Sequence, residues 1–307
     1  MENAVDIQGS QSCVLPRYHR PAERPNQAPT GKAPIAWERA HEAVAASPLT
    51  PGSRALMLGL LRTGGTRVFP GGGVGIEYGS LLKTAVHPVD VGVHVAEAAV
   101  HLRERRVDLL LVPGMSGYPI GSLYAFAANL PAILLKKSTL SSVVAAASPP
   151  GSFVIPSYTG EGDVVMSADS AAALDVVATI CARQLAGQSE VERPHIVLRC
   201  AGADDIIDKA TMSRAVGESA TAIGLTAASA WLARHRRNTG EARLIDIGVE
   251  VVAWVTPLIK GYNRPQEHLR SAFGIEAFAG INILGLSLDP PAIDVEGIGP
   301  IAFASQS

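Results

Sequence analysis

Apolar positions along the 307-residue chain fall into two rhythms. The first is helical. Trp37, Ala40, Val44 and Ala45 recur at helical spacing, in a segment closed by Pro48 and Pro51. Residues 55–61 are apolar enough for a second helix, stopped by Thr63-Gly64-Gly65. A turn-rich piece follows, Phe69-Pro70-Gly71-Gly72-Gly73, and then residues 74–82. Val93, Ala96 and Val100 predict a helix over 89–106, whose basic end, Arg103, Arg105 and Arg106, suits the negative pole of the helix dipole.

The second rhythm is the short continuous apolar run. Val107-Asp108-Leu109-Leu110-Leu111-Val112, bounded by Pro113-Gly114, reads as a buried parallel strand. A helix over 122–130 and a strand over 132–135, ending at Lys136-Lys137, complete a βαβ crossover. Further strands are expected at 153–155, 163–166, 195–200, 249–256 and 281–286, and helices at about 170–186, 211–234 and 264–273. This alternation predicts an α/β fold with a mostly parallel central sheet flanked by helices. Residues 1–34 hold five prolines with scattered Gln, Asn and Arg, and read as a flexible tail or as an arm around a partner subunit. The ordered domain is expected over 35–307.

Composition narrows the function classes. At 47% apolar and 18% charged residues the chain has ample material for a core. A net charge of −2 provides no field for nucleic acid or an anionic membrane. No apolar run approaches the roughly 18 residues of a membrane span, and the N-terminus has neither the basic nor the apolar region of a secretory signal. Cys13, Cys181 and Cys200 are too scattered for a disulfide framework, and no Cys or His pair has zinc spacing. A cytoplasmic protein with no nucleic-acid or membrane partner is the expectation.

Ligands of open α/β sheets bind beyond the carboxyl ends of the strands, and three such ends carry reactive residues. Pro113-Gly114-Met115-Ser116-Gly117-Tyr118-Pro119 is either an ordinary tight turn or a set of backbone N–H groups facing an anion. Asp204-Asp205-Ile206-Ile207-Asp208-Lys209-Ala210-Thr211 follows a buried strand and opens a helix. Its acids either suit the helix dipole alone, or accept hydrogen bonds from vicinal sugar hydroxyls and hold Mg²⁺ through water. Lys209 and Thr211 would then face a phosphate. Lys136-Lys137 is either a solvated pair or a counter-charge for a diphosphate.

In this order the segments resemble the type I phosphoribosyltransferases, most of all the adenine-specific ones. Phe69-Pro70-Gly71-Gly72-Gly73-Val74 is similar to that family's Phe-Pro-x-x-Gly-[VI], and 107–121 to its strand and diphosphate loop. Leu134-Leu135-Lys136-Lys137 stands where the family has apolar-Arg-Lys. Tyr158-Thr159-Gly160-Glu161-Gly162-Asp163 resembles the mobile catalytic loop, and 204–212 the phosphosugar loop. The match is gapped but collinear from about 36 to 286.

The resemblance implies transfer of a phosphosugar from its 1-diphosphate to a purine base such as adenine, with Mg²⁺ and through a homodimer. Met115, Ser116, Gly117 and Lys137 would hold diphosphate, with Tyr118 in the same segment. Asp204 and Asp205 would bind the sugar hydroxyls, and the metal indirectly through substrate or water. Lys209 and Thr211 would take the terminal phosphate, with Asp208 beside them. Phe69 would sandwich the base, and Glu161 is the acid/base candidate.

The departures are specific. Both glycines of the family's Thr-Gly-Gly-Thr phosphate cradle are missing and the loop is one residue shorter. Alanine does not reach positive φ cheaply, so the cradle is expected to differ. Ile76-Glu77-Tyr78 replaces Phe-Arg-Asp, and Glu161 is displaced by about two positions. Insertions are expected near 171–185, an extra helix, and near 224–246, an extended helix followed by a basic loop, Arg234-His235-Arg236-Arg237. A donor other than phosphoribosyl diphosphate, such as a ketohexose phosphate diphosphate, is one consequence. A non-catalytic phosphosugar sensor and a nucleotide hydrolase on the same scaffold are the alternatives.

Overall fold

The computed structural model describes residues 15–18, 33–63, 65–68, 74–82, 87–139, 148–156, 162–288 and 290–303. Helices α1 (Trp37–Ala46) and α2 (Pro51–Thr63) come first. A small hairpin of β1 (Gly65–Val68) and β2 (Val74–Glu77), a single turn α3 (Gly79–Leu82) and the long α4 (Pro88–Glu104) follow. Next come β3 (Leu109–Pro113), α5 (Tyr118–Ala128), β4 (Ala132–Thr139), β5 (Phe153–Pro156) and β6 (Asp163–Ser167). The rest is α6 (Ser170–Ala186), β7 (His195–Ala203), β8 (Ile206–Ile207), α7 (Thr211–Thr239), β9 (Asp246–Ile259), α8 (Pro265–Phe273), β10 (Ala277–Leu288), β11 (Pro291–Val295) and β12 (Gly299–Ala302).

The main sheet runs β12-β11-β10-β9-β7-β3-β4-β6-β5, with β8 beside β9. Its centre, β10-β9-β7-β3-β4, is parallel, and both flanks are antiparallel. The expected α/β fold with a parallel core is present. Strand β3 is buried along its whole length because helices cover both faces. Its residues alternate between two cores. Leu110 and Val112 pack with α1, α2, α4 and α5, whereas Leu109 and Leu111 pack with α6, α7 and α8.

Three sequence expectations change. Lys136-Lys137 does not end β4. The strand continues to Thr139 because β6 pairs with it antiparallel, Lys136 opposite Ser167 and Lys137 opposite Met166. Arg234-His235-Arg236-Arg237 is not a loop but the last turns of α7, where Arg236 and Arg237 meet the helix's negative end. The N-terminal segment, expected to be a flexible tail through residue 34, is fixed at Leu15–Tyr18. Val154 N–H donates to Pro16 O at 2.8 Å and Tyr18 N–H to Val154 O at 2.9 Å. The outer edge of β5 presents backbone groups that need partners, and this segment satisfies them. Ile35 docks in the same way on β12, donating to Pro300 O at 2.8 Å.

His94 of α4 lies fully buried in the first core. Its Nε2 is 2.8 Å from the Tyr124 hydroxyl, and its ring stacks on Phe278 at 5.7 Å. Burial pushes its pKa down to about 4, against a smaller opposing effect of the Thr256 backbone. As pH falls from about 6.5 towards 4, the unfolded chain therefore takes up this proton before the folded one, and stability is lost across that window. The His94 contribution is on the order of 3 kcal/mol. Urea denaturation at pH 7 and pH 4.5 is expected to show a loss in the wild type larger by roughly 2–3 kcal/mol than in His94→Gln. Equal losses in both proteins would contradict this assignment.

Candidate active site

The carboxyl ends of β3, β4, β7 and β9 meet at one edge of the parallel core, as the register of adjacent strands requires. After Pro113 the chain turns through Gly114–Gly117 into α5, whose N-cap Gly117 carries no capping side chain. After Ala203 it turns through Asp204 and Asp205 into the short β8. These turns touch. A Cβ on Gly117 would lie 2.8 Å from Asp204 Oδ1 and 2.8 Å from Pro113 O. Only a residue without a side chain lets the two turns approach this closely.

Asp204 and Asp205 are buried, at 8% and 2% exposure. Asp204 Oδ1 accepts the Asp205 backbone N–H at 2.9 Å, which fixes the first carboxylate relative to the second. Their strand is set by a close contact just before the acids. Gly202 sits directly opposite Trp254 of β9, and a Cβ there would fall 2.0 Å from the indole ring.

The remaining predicted residues divide. Met115 is exposed and Ser116 half-buried in the β3–α5 turn. The Tyr118 hydroxyl serves the scaffold. It donates to Leu135 O at 2.7 Å and ties α5 to β4. Burial raises its pKa. Lys136 and Lys137 do not act as a pair on one ligand, because successive strand residues point to opposite faces. Lys136 reaches instead towards Asp169, 4.0 Å away, which caps α6 by accepting from the Ala171 and Ala172 N–H groups. Lys137 is exposed.

Asp208 is likewise engaged in a way that its sequence position does not reveal. Lys260 Nζ lies 3.1 Å from its Oδ2, and Asn263 Nδ2 donates to its Oδ1 at 2.6 Å. Both members of the Asp208–Lys260 pair are nearly buried, at 11% and 12% side-chain exposure. Lys260 follows β9, some fifty residues away in sequence, and only the sheet order brings it to the acidic turn. Lys209 and Thr211 are half-buried at the start of α7. Ala210 between them adopts φ +57°, a left-handed conformation that favours glycine. Alanine does not reach positive φ cheaply, yet the turn holds it there. No side chain caps α7, so its leading N–H groups form a positive helix end.

Phe69 and Glu161 lie outside the described residues. The basic run at 234–237 ends the 29-residue α7, about 35–40 Å along the axis from Thr211, so within one chain it does not reach this edge. Among the described residues no group of three or more His, Cys, Asp or Glu side chains converges to hold a metal ion.

An acidic pair, a glycine turn and an uncapped helix end thus stand at one edge of the parallel sheet of an α/β protein. No family model matches the sequence, and no curated protein matches it. Solved structures do. The chain is similar to the Giardia lamblia APRTase solved with 9-deazaadenine, at 11% identity over 76% of this chain and 98% of that one, with a TM-score of 0.45. It is similar to adenine phosphoribosyltransferase of Saccharomyces cerevisiae at 11% identity, 75% and 98% coverage, and a TM-score of 0.44. Orotate phosphoribosyltransferase of Aeropyrum pernix matches at 11% identity, 75% and 93% coverage, and a TM-score of 0.36.

The close contacts yield a stability prediction. Gly202→Ala must displace Trp254, and is expected to lower the unfolding free energy by roughly 1–3 kcal/mol. Gly187→Ala, whose Cβ would meet nothing nearer than 3.6 Å, is the matched control and should stay within about 0.5 kcal/mol of the wild type. Chemical denaturation of the three proteins measures both.

Proposed function

We propose that the protein is a glycosyltransferase of the phosphoribosyltransferase type, which moves a phosphosugar from its 1-diphosphate to adenine or a similar base and releases diphosphate. The contact between Gly117 and Asp204 carries this reading, because it joins the expected diphosphate turn to the expected sugar-binding acids. The collinear motifs from 69 to 212 support it.

In this reaction the bond from the anomeric carbon to the diphosphate oxygen breaks and a bond to a base nitrogen forms, through an oxocarbenium-like transition state. The protein's work is to position and to stabilise charge. Backbone N–H groups of 115–117 face the diphosphate. Asp204 and Asp205 accept hydrogen bonds from the sugar hydroxyls and place negative charge beneath the developing cation. The uncapped start of α7, with Lys209 and Thr211, receives the terminal phosphate. Glu161 is the acid/base candidate that exchanges the base proton, and Phe69 stacks on the base. Two adjacent carboxylates suit Mg²⁺, which keeps several waters and binds through one or two carboxylates together with substrate phosphates. Mg²⁺ would supply charge neutralisation of the diphosphate, with Asp204 and Asp205 facing it through water. A homodimer in the cytoplasm completes the proposal. The buried, unpaired Cys181 and Cys200 fit a reducing compartment.

The reshaped phosphosugar turn favours an altered donor. With Asp208 held by Lys260 and Asn263, the turn is built on charge where the family builds it on glycines. A different phosphosugar, such as a ketohexose phosphate diphosphate, is the donor we infer from that difference. The same feature gives the sensor reading its one observation, since a turn anchored this firmly also suits binding without turnover.

Mass spectrometry of mixtures of the protein, Mg²⁺, adenine and phosphoribosyl diphosphate or a ketohexose analogue tests the reading. A nucleotide product whose formation falls about a hundredfold or more in Asp205→Asn is the expected result. Calorimetric binding without product would favour the sensor, and free sugar phosphate without nucleotide a hydrolase.

A further inference from the structure

Residues 16–18 do more than cover an edge. The β5–β6 hairpin closes at the pair Pro156–Asp163, and these two residues bracket the connection in which Glu161 falls. Arg17 holds both strands at this point. It bridges Val154 of β5 in parallel register, and its Nη1 lies 2.5 Å from Asp163 Oδ2 at the first residue of β6. The next residue turns to the other side. The Tyr18 ring packs edge-on against Phe153 at 5.6 Å, and its hydroxyl donates to the Glu218 carboxylate of α7. The other oxygen of Glu218 accepts from Arg214 Nε at 2.7 Å. Arg214 stands in the first turn of α7, three residues beyond Thr211.

We propose that Pro16–Tyr18 is a positioning strap. It fixes the root of the catalytic hairpin against the helix that presents the phosphosugar turn, and Arg17 is its central positioning residue. The inference rests on the transfer reading above, because the hairpin matters to turnover only if the residues it carries act on the base. The contacts are of a kind suited to alignment rather than to stability. Arg17 is half exposed and Asp163 a quarter exposed, and exposed ion pairs contribute little to the folding free energy. A decorative contact and an aligning one therefore predict the same global stability but different local behaviour of β5 and β6.

The experiment uses the full chain with Arg17→Ala/Tyr18→Phe, and the charge exchange Arg17→Asp/Asp163→Arg beside the single variant Arg17→Asp. Hydrogen exchange over 153–156 and 163–167 is expected to quicken by about fivefold or more in the double variant, with the melting temperature nearly unchanged. With phosphoribosyl diphosphate and adenine as probes, kcat is expected to fall about fivefold or more while KM for adenine stays within about twofold. The charge exchange should recover most of the hairpin protection that Arg17→Asp loses. Unchanged exchange in both strands would overturn the strap, and so would faster exchange with unaltered kcat. A wild-type protein that makes no nucleotide from any donor overturns the transfer reading and with it the catalytic role of the strap. Hydrogen exchange then still decides whether residues 16–18 hold the hairpin.

Discussion

The site depends on how closely β7 can lie beside its neighbours. Gly202 leaves the Trp254 ring flush against the strand, and that contact holds the last residues of β7 level with the end of β3. Gly117 then meets Asp204 with no side chain between them. Two methyl groups, one at each position, would separate elements that sequence keeps nearly ninety residues apart. Packing in a parallel core tolerates little overfilling, so the geometry of the acids is set by the absence of atoms at Gly202 and Gly117 as well as by the bond between Asp204 and the Asp205 N–H.

Charge performs the same work in the turn that follows. Asp208 and Lys260 are both withdrawn from water, and a buried pair repays its desolvation only when geometry and further hydrogen bonds are good. Asn263 supplies one such bond. Removing either charge would take from the other its ion-pair partner in a nearly buried place, so the path of the turn from β8 to α7 is strongly determined. That determination explains how Ala210 stays in a left-handed conformation, which costs a residue with a Cβ about 1–2 kcal/mol. Strain of this kind persists where the surroundings over-specify the backbone. The turn into α7 thus holds an alanine in a conformation that glycine adopts more cheaply.

The parallel core was legible because buried strands and amphipathic helices carry strong local patterns. Helix α6 falls where periodicity places it, and β3, β7 and β9 are found at their apolar runs, with bounds that differ by a few residues. Of the flanks, β5 and β6 fall where strands are expected, but the opposite one was not legible. Strands β11 and β12 are short and interrupted by Pro291, Gly299 and Pro300, so neither alternation nor length marks them. The acidic pair and the glycine turn could be read from their positions after apolar strands. Lys260 and Asn263 could not, since nothing in their neighbourhood signals a partner some fifty residues earlier. Tyr118 and Asp208 show the converse failure: both stand in the expected segments, yet their polar atoms are engaged by the scaffold. Motif position locates a turn, but the hydrogen-bond partners decide which of its side chains remain to meet a ligand.

The antiparallel flanks create a problem that the N-terminal segment solves. An open sheet ends in two rows of backbone groups with no strand beside them, which invites association with another chain. Residues 16–18 take up part of the β5 edge and Ile35 part of the β12 edge. Eight strand spacings separate those edges, about 38 Å at roughly 4.8 Å each. The seventeen residue steps from Tyr18 to Ile35 can span roughly 56 Å when extended. One chain is therefore long enough to serve both of its own edges, and no exchange of segments between subunits is needed. The β5 end adds the Arg17–Asp163 ion pair and the Tyr18 hydroxyl to its backbone bonds, so the segment there orients the β5–β6 hairpin as well as covering an edge, whereas Ile35 covers the β12 edge through backbone bonds.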